Sequence, residues 1–463
     1  MSTPLSIFGL FLALFLLIFL AFKGHSVIVI APIVATVALL FSSGMDAHLM
    51  ATYTEVYMRG FANYVKNYFP LYLFGAIFAK VMEESGYADA IAHIIADKLG
   101  KDKAILSVVL CCAVLTYGGV SLFVVTFVVL PIAISLFREA DIPKRLIPGS
   151  IALGAFTFTM TAMPGSPQVQ NTIPMQYFGT DAFAAPVLGI IASVIMFATG
   201  MLWLSKREKS ARSKGEGYGE HKEETLSKKT VKAKSIIHPL IAFILIVAVN
   251  LYFSKVFYQN IDPGYLEGYG TKISAVSGNW SVLIALFVST LYLIVVSFSE
   301  LKDRLKNHLK TAAGNSLMPL INSCAVVGFG AVIKSLAIFS IIQSFILGIS
   351  ANPLISEILA VNMLCGMTAS ASGGLGATLE ALAPTFIAQG AKVGLSPQVL
   401  HRIASISSGG LDSLPHNGAT VTTLSLCNIS HKEGYLDMFV CSVVIPIGTA
   451  IVVAILASIG ISF

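Results

Sequence analysis

Six helix-length stretches of this chain, residues 5–22, 28–41, 187–204, 241–253, 282–298 and 440–459, carry almost no charge. In hydrocarbon every backbone N–H and C=O must be satisfied within the protein, which leaves only helices and closed barrels as spanning structures. No alternation of apolar and polar residues competes with these runs, so helices are expected. With 56% of residues hydrophobic and 12% charged, the apolar surface also exceeds what a water-soluble core could bury. The chain reads as an all-α polytopic membrane protein. Its first run has no basic leader and no small-residue cleavage site before the next run, so it is expected to be a retained helix rather than a signal peptide.

The formal net charge of +6 collects in a few short loops, which fits membrane orientation and gives no footing for a nucleic-acid partner. Residues 206–235 hold ten Lys and Arg against five Glu and are expected to be a cytoplasmic linker between two halves, 1–205 and 236–463. From that anchor a helix near 237–255 runs outward and another near 281–298 returns to Lys302, Arg304, Lys306 and Lys310. Counting backward places Lys98, Lys101, Lys103, Lys144 and Arg145 inside. On this topology Lys392, His401 and Arg402 fall outside. The six cysteines sit in apolar stretches without the spacing of a metal site or a disulfide framework, and read as buried thiols.

Segment 104–137 then starts and ends on one side, and its first leg is too short to span. It is expected to be a re-entrant hairpin turning at Thr116-Tyr117-Gly118-Gly119. An internal repeat supports the same picture. Pro70-Leu71 matches Pro319-Leu320, Val81 matches Val332, Gly118-Gly119 matches Gly373-Gly374, Leu130-Pro131 matches Ala383-Pro384, and Pro167-Gln168 matches Pro415-His416, at offsets of 248 to 255 residues. An odd number of crossings per half would make the repeats inverted in topology, the arrangement of secondary transporters.

Two polar, proline-broken stretches interrupt otherwise apolar helices. The first, 163–171, offers Ser166, Gln168, Gln170 and Asn171. The second, 407–420, offers Asp412, Ser413, His416, Asn417 and Thr420. One such break is explained by helix packing and kinking alone; two at matching positions point to unwound half-helices whose amides face an anionic substrate near the bilayer midplane. The hairpin tips carry the same logic through Thr116, Gly118, Gly119 and Ser121 in one, and Ser370, Ser372, Gly373 and Gly374 in the other. Asp412 and His416 are four residues apart and form a titratable pair at membrane depth, so they are the candidates for proton coupling, with Glu380 as a third. Glu357 is given no role, and Asp437 is placed beside a loop.

The stretches Tyr117-Gly118-Gly119-Val120-Ser121, Pro164-Gly165-Ser166-Pro167-Gln168 and Ser408-Gly409-Gly410-Leu411-Asp412-Ser413-Leu414-Pro415-His416-Asn417-Gly418 resemble the gluconate permease (GntP) family over nearly the whole chain. The last stretch looks most like hydroxybutyrate permease-like members. The resemblance implies an inner-membrane symporter of the ion transporter superfamily that uses a proton to import a small hydroxy-monocarboxylate such as gluconate or 3-hydroxybutyrate, with no cofactor. It further implies a homodimer whose hairpin-bearing transport domain moves as an elevator against a scaffold. Serine, asparagine and carbonyl oxygens also suit sodium, which leaves sodium coupling and sodium/proton antiport as alternatives. An intramembrane hydrolase built on Ser413 or Asp412 with His416 is the remaining rival, and it would leave the matching Pro167-Gln168 segment unexplained.

Overall fold

Where the described residues run apolar they are helical, and they contain no strand. The computed structural model describes residues 3–23, 25–44, 48–120, 122–221, 235–339, 341, 350, 352–368, 370–415 and 417–461. Ser121 and His416 lie outside the described residues.

The first half builds α1 (Thr3–Phe22), α2 (Val27–Ser43), α3 (Met58–Glu84), α4 (Tyr87–Leu99), α5 (Ala104–Tyr117), α6 (Leu122–Glu139), α7 (Ile147–Ala155), α8 (Phe158–Thr161), α9 (Val169–Phe178) and α10 (Pro186–Ser213). The second builds α11 (Ile237–Tyr252), α12 (Ile273–Val296), α13 (Leu305–Ser335), α14 (Pro353–Thr368), α15 (Ala371–Lys392), α16 (Pro397–Ser408), α17 (Gly418–Leu426), α18 (His431–Phe439) and α19 (Ile445–Ser458). Five described helices are long and apolar enough to cross a membrane: Pro186–Ser213, Ile237–Asn260, Ile273–Val296, Leu305–Ser335 and His431–Ser458. Phe8, Phe11, Phe15, Ile190, Leu202, Ile244 and Val295 are all more exposed than buried, and an apolar surface of that extent has lipid as its solvent.

Small residues set how the helices approach. In α2, Ala31, Val34, Ala35 and Ala38 recur at helical spacing and pack with Ala13 and Leu17 of α1 against Ala325, Phe329 and Val332 of α13, forming a core separate from the main one. Helices α3 and α13 share an extensive interface. There Gly60 faces Ala331 and Gly328 so closely that a Cβ on Gly60 would reach 2.8 Å from the Ala331 methyl.

Each half contains a tight helical hairpin. The α5–α6 turn closes with Gly119 N–H on Thr116 O and Val120 N–H on Leu115 O, both 3.0 Å, and needs φ of +88° at Gly119, which only glycine adopts cheaply. In the α14–α15 pair the Ser370 hydroxyl caps the second leg by accepting from Gly373 N–H at 3.1 Å. Gly374 lies directly on the Cys365 backbone, so any side chain there would push the legs apart. The breaks follow from missing donors and free dihedrals. Pro164 and Pro167 remove N–H groups around Gly165, at φ of +79°, between α8 and α9. Gly409, Gly410 and Pro415 do the same between α16 and α17, leaving a single 3-10 turn at Leu411–Ser413.

His401 and Arg402, which charge counting puts outside, lie on α16 and are wholly buried. Counting charges treats each arginine as solvated, and this one is wrapped in carbonyls instead. Asp437 likewise belongs to α18 and is wholly buried. It accepts from Arg207 Nε at 2.7 Å, Trp203 Nε1 at 3.0 Å and Arg145 Nη1 at 3.3 Å. Arg145 in turn grips Glu216 through two bonds of 2.6 and 2.8 Å, holding that carboxyl below its usual range.

Candidate functional site

The two breaks meet in the middle of the fold. Ser405 of α16 donates to Thr161 O at 2.6 Å, and Gly409 packs on the Thr161 side chain. Each hairpin tip is tied to the break of its own half. Gln168 Nε2 donates to Thr116 O at 2.7 Å and Val120 O at 3.4 Å, and Tyr117 OH donates to Pro164 O at 3.0 Å. Gly119 lies against Pro167. In the second half Asn362 of α14 accepts from Leu411 N–H at 3.1 Å, and Gly366 packs on Leu411.

Most polar side chains of the first break are committed to structure. Ser166, wholly buried, donates to Thr159 O at 2.9 Å. Asn171 donates through Nδ2 to Ser166 O and Ala182 O, both at 2.9 Å. Its Oδ1 accepts from Arg402 Nη1 at 2.9 Å. The guanidinium also donates to Ala184 O through Nε at 3.0 Å and Nη2 at 2.7 Å, and to Ala182 O at 3.5 Å. His401 completes the group, with Nδ1 at 2.6 Å from Thr180 Oγ1 and Nε2 at 3.4 Å from Asn171 Oδ1. Because an amide oxygen only accepts, this pattern puts the ring proton on Nε2 and makes Thr180 the donor to Nδ1. Gln170 Oε1 and Thr116 Oγ1 are buried without a hydrogen-bond partner among the described residues.

In the second break the polar side chains bond mainly to near neighbours, while the backbone is anchored from a distance by Asn362 of α14 and Tyr435 of α18. Asp412 is buried and accepts from the neighbouring Ser413 hydroxyl at 3.1 Å. Asn417 Oδ1 caps α17, accepting from Ala419 N–H at 2.7 Å and Thr420 N–H at 3.0 Å. Thr420 donates to Ser413 O at 3.4 Å, and Tyr435 OH donates to the same carbonyl at 3.1 Å. The first turn of α17 is thereby tied to Ser413, the residue that follows the buried Asp412. Glu380 stands apart from both, on the second leg of its hairpin, accepting from Tyr177 OH at 3.4 Å, with Lys334 Nζ on its backbone carbonyl at 2.8 Å. Of the other tip residues, Ser372 reaches Ser323 of α13 at 3.0 Å and Ser370 at 3.5 Å, while Gly118 lies against Phe243 of α11.

Three groups escaped sequence reasoning. Arg402 and His401 were misread by charge counting; the capping pair Ser396-Pro397 immediately ahead of them is the signal that a helix, rather than a loop, begins there. Glu357 of α14 is wholly buried with neither carboxyl oxygen hydrogen-bonded among the described residues. Three tyrosines of α3, Tyr64, Tyr68 and Tyr72, line its contact with α15 and α9; their spacing of four was visible but reads equally as packing.

A model of the GntP family permeases matches residues 5–458. An uncharacterized transporter of Bacillus subtilis (strain 168), YxjC, is 42% identical over 462 residues, covering 96% of this chain and 97% of its own. The high-affinity gluconate transporter of Escherichia coli (strain K12) is 29% identical over 191 residues, 41% of this chain and 40% of that one. Among solved structures, the Alcanivorax borkumensis YdaH transporter, described as having an unusual topology, aligns with a TM-score of 0.59 at 13% identity, over 90% of both chains. That similarity is one of fold alone. The all-helical architecture with paired hairpins and breaks, the family match along nearly the full length and the transporter relatives agree: the chain belongs to the GntP permease family, and it is a multi-pass membrane transporter rather than an enzyme.

Proposed function

We propose that the protein is a proton-coupled symporter that imports a small hydroxy-monocarboxylate, of the size range spanned by 3-hydroxybutyrate and gluconate, across the cytoplasmic membrane. The observation that carries this reading is the asymmetric meeting of the two breaks. In one, the polar side chains are locked by long-range bonds; in the other, the α17 N-terminus lies against Ser413, whose hydroxyl is the described side-chain partner of the buried Asp412 carboxyl. A helix N-terminus favours a carboxylate, and an ionisable group at membrane depth with so little to stabilise its charge suits a group that gains and loses a proton as water reaches it. The named substrate of the Escherichia coli relative supports the substrate class.

In this reading residues 1–205 and 236–463 are inverted repeats joined by a cytoplasmic linker, 206–235. The hairpins α5–α6 and α14–α15 re-enter the membrane. The unit carrying them moves as an elevator against a scaffold that includes α3 and α13, in a homodimer. Substrate binding is assigned to the tips and breaks, with Asp412 carrying the proton.

The test is uptake of labelled 3-hydroxybutyrate and gluconate into proteoliposomes, with proton and sodium gradients imposed separately. Accumulation driven by the proton gradient alone is the expected result. Accumulation that follows only sodium would move the coupling ion, uptake indifferent to both would defeat symport, and sodium flux without any organic acid would favour an antiporter.

A further inference from the structure

Hydroxyl groups gather where the second hairpin tip meets α3 and α13, and the breaks do not use them. On α15, Ser372 and Gly376 are one turn apart and share a face. Ser372 Oγ lies 3.0 Å from Ser323 Oγ of α13, which lies 3.4 Å from Tyr72 OH of α3. One turn along, the Tyr64 ring rests on Gly376 so closely that a Cβ there would come within 3.0 Å of it. Tyr64 and Tyr72 are eight residues apart, two turns of α3, so their hydroxyls project along one seam. Tyr68, between them, is already spent on Ile173 O at 3.0 Å.

The Tyr64 hydroxyl is buried and makes no well-formed hydrogen bond among the described residues, only a loose approach to the Tyr72 hydroxyl. A tyrosine used purely for packing finds a partner for its hydroxyl or gives way to phenylalanine, because a buried O–H left unpaired is costly. At the tip the seam meets the first turn of α15, which carries Ser372 and whose Ser370 cap accepts from Gly373 N–H. A helix N-terminus for the carboxylate thus lies next to a row of O–H groups that both donate and accept, which is the complement of an acid carrying hydroxyls on its chain.

We propose that Tyr64 and Tyr72 of α3, with Ser323 of α13 and Ser372 of α15, form the subsite that reads the hydroxyl groups of the substrate. This rests on the hydroxy-acid reading above and deepens it: the tip residues meet the carboxylate, and α3 discriminates hydroxylated acids from their deoxy counterparts. A site built to hydrogen-bond a hydroxyl rejects the analogue lacking it, since its own polar groups are then left unpaired.

Tyr64→Phe and Tyr72→Phe keep the rings and remove one oxygen each, so packing on Gly376 survives. In proteoliposomes, each variant is compared with wild type for KM and maximal rate with gluconate and 3-hydroxybutyrate, and for competition by butyrate. Each Phe variant is expected to raise KM for the hydroxy acids about three- to tenfold, the worth of one lost neutral hydrogen bond, with little change in maximal rate and none in butyrate competition. Unchanged KM in both variants, or an equal weakening of butyrate, would overturn the subsite. Should wild type neither transport nor bind either hydroxy acid, the substrate reading itself fails, and the variants are not needed to show it.

Discussion

Asn171 and Asp412 sit in broken helices of one backbone plan, yet their surroundings are opposite. Asn171 spends its amide on four partners, two backbone carbonyls, a guanidinium and an imidazole, and three of those four lie eleven residues or more away. Asp412 has the hydroxyl of the next residue. The first break is a structural lock that the second half reaches across to close, whereas the described side-chain partner of the carboxyl in the second is its own neighbour. Ser166, Gln168 and Asn171, expected to share in substrate hydrogen bonding, are each engaged with the protein's own carbonyls in this structure.

Arg402→Leu should do the most damage to this contrast. It leaves Asn171 Oδ1 and the Ala182 and Ala184 carbonyls without their charged donor in a buried setting, at a cost on the order of 3 kcal/mol. Thermal unfolding in detergent should show a clear loss of stability; a variant as stable as wild type would mean that the first break is not a lock. Gln168→Leu removes the donor to both tip carbonyls of the first hairpin and should cost about 1–3 kcal/mol in the same assay. Thr420→Val, which gives up a single 3.4 Å bond, should stay within about 1 kcal/mol of wild type. If it destabilised more than Gln168→Leu, the second break would be as structural as the first.

Much of this fold was legible in the sequence because lipid imposes one rule on the whole chain. Uncharged runs became helices, and the paired glycines at 118–119 and 373–374 marked turns or close approaches that no side chain permits. The two proline-rich stretches marked the breaks. What was not legible is how the polar groups pair across the fold. Asn171 and Gln168 are good candidate ligands by type and position, and only the arrival of Arg402 from 231 residues away, or of a tip carbonyl 52 residues back, shows that they are already engaged. The setting of Arg402 was missed for the same reason: a buried ion with partners is invisible to a rule about solvated loops. Asp412 remained a candidate because, among the described residues, no distant side chain hydrogen-bonds it.

The coupling role assigned to Asp412 is tested most directly by Asp412→Asn in proteoliposomes, with gradient-driven accumulation and substrate exchange measured on the same preparation. Asparagine keeps the size and the acceptor for Ser413 while removing the titratable proton. Accumulation should be abolished while exchange, which needs no net proton movement, persists at near wild-type rate. Undiminished accumulation against the gradient would contradict the assignment and move coupling to another group.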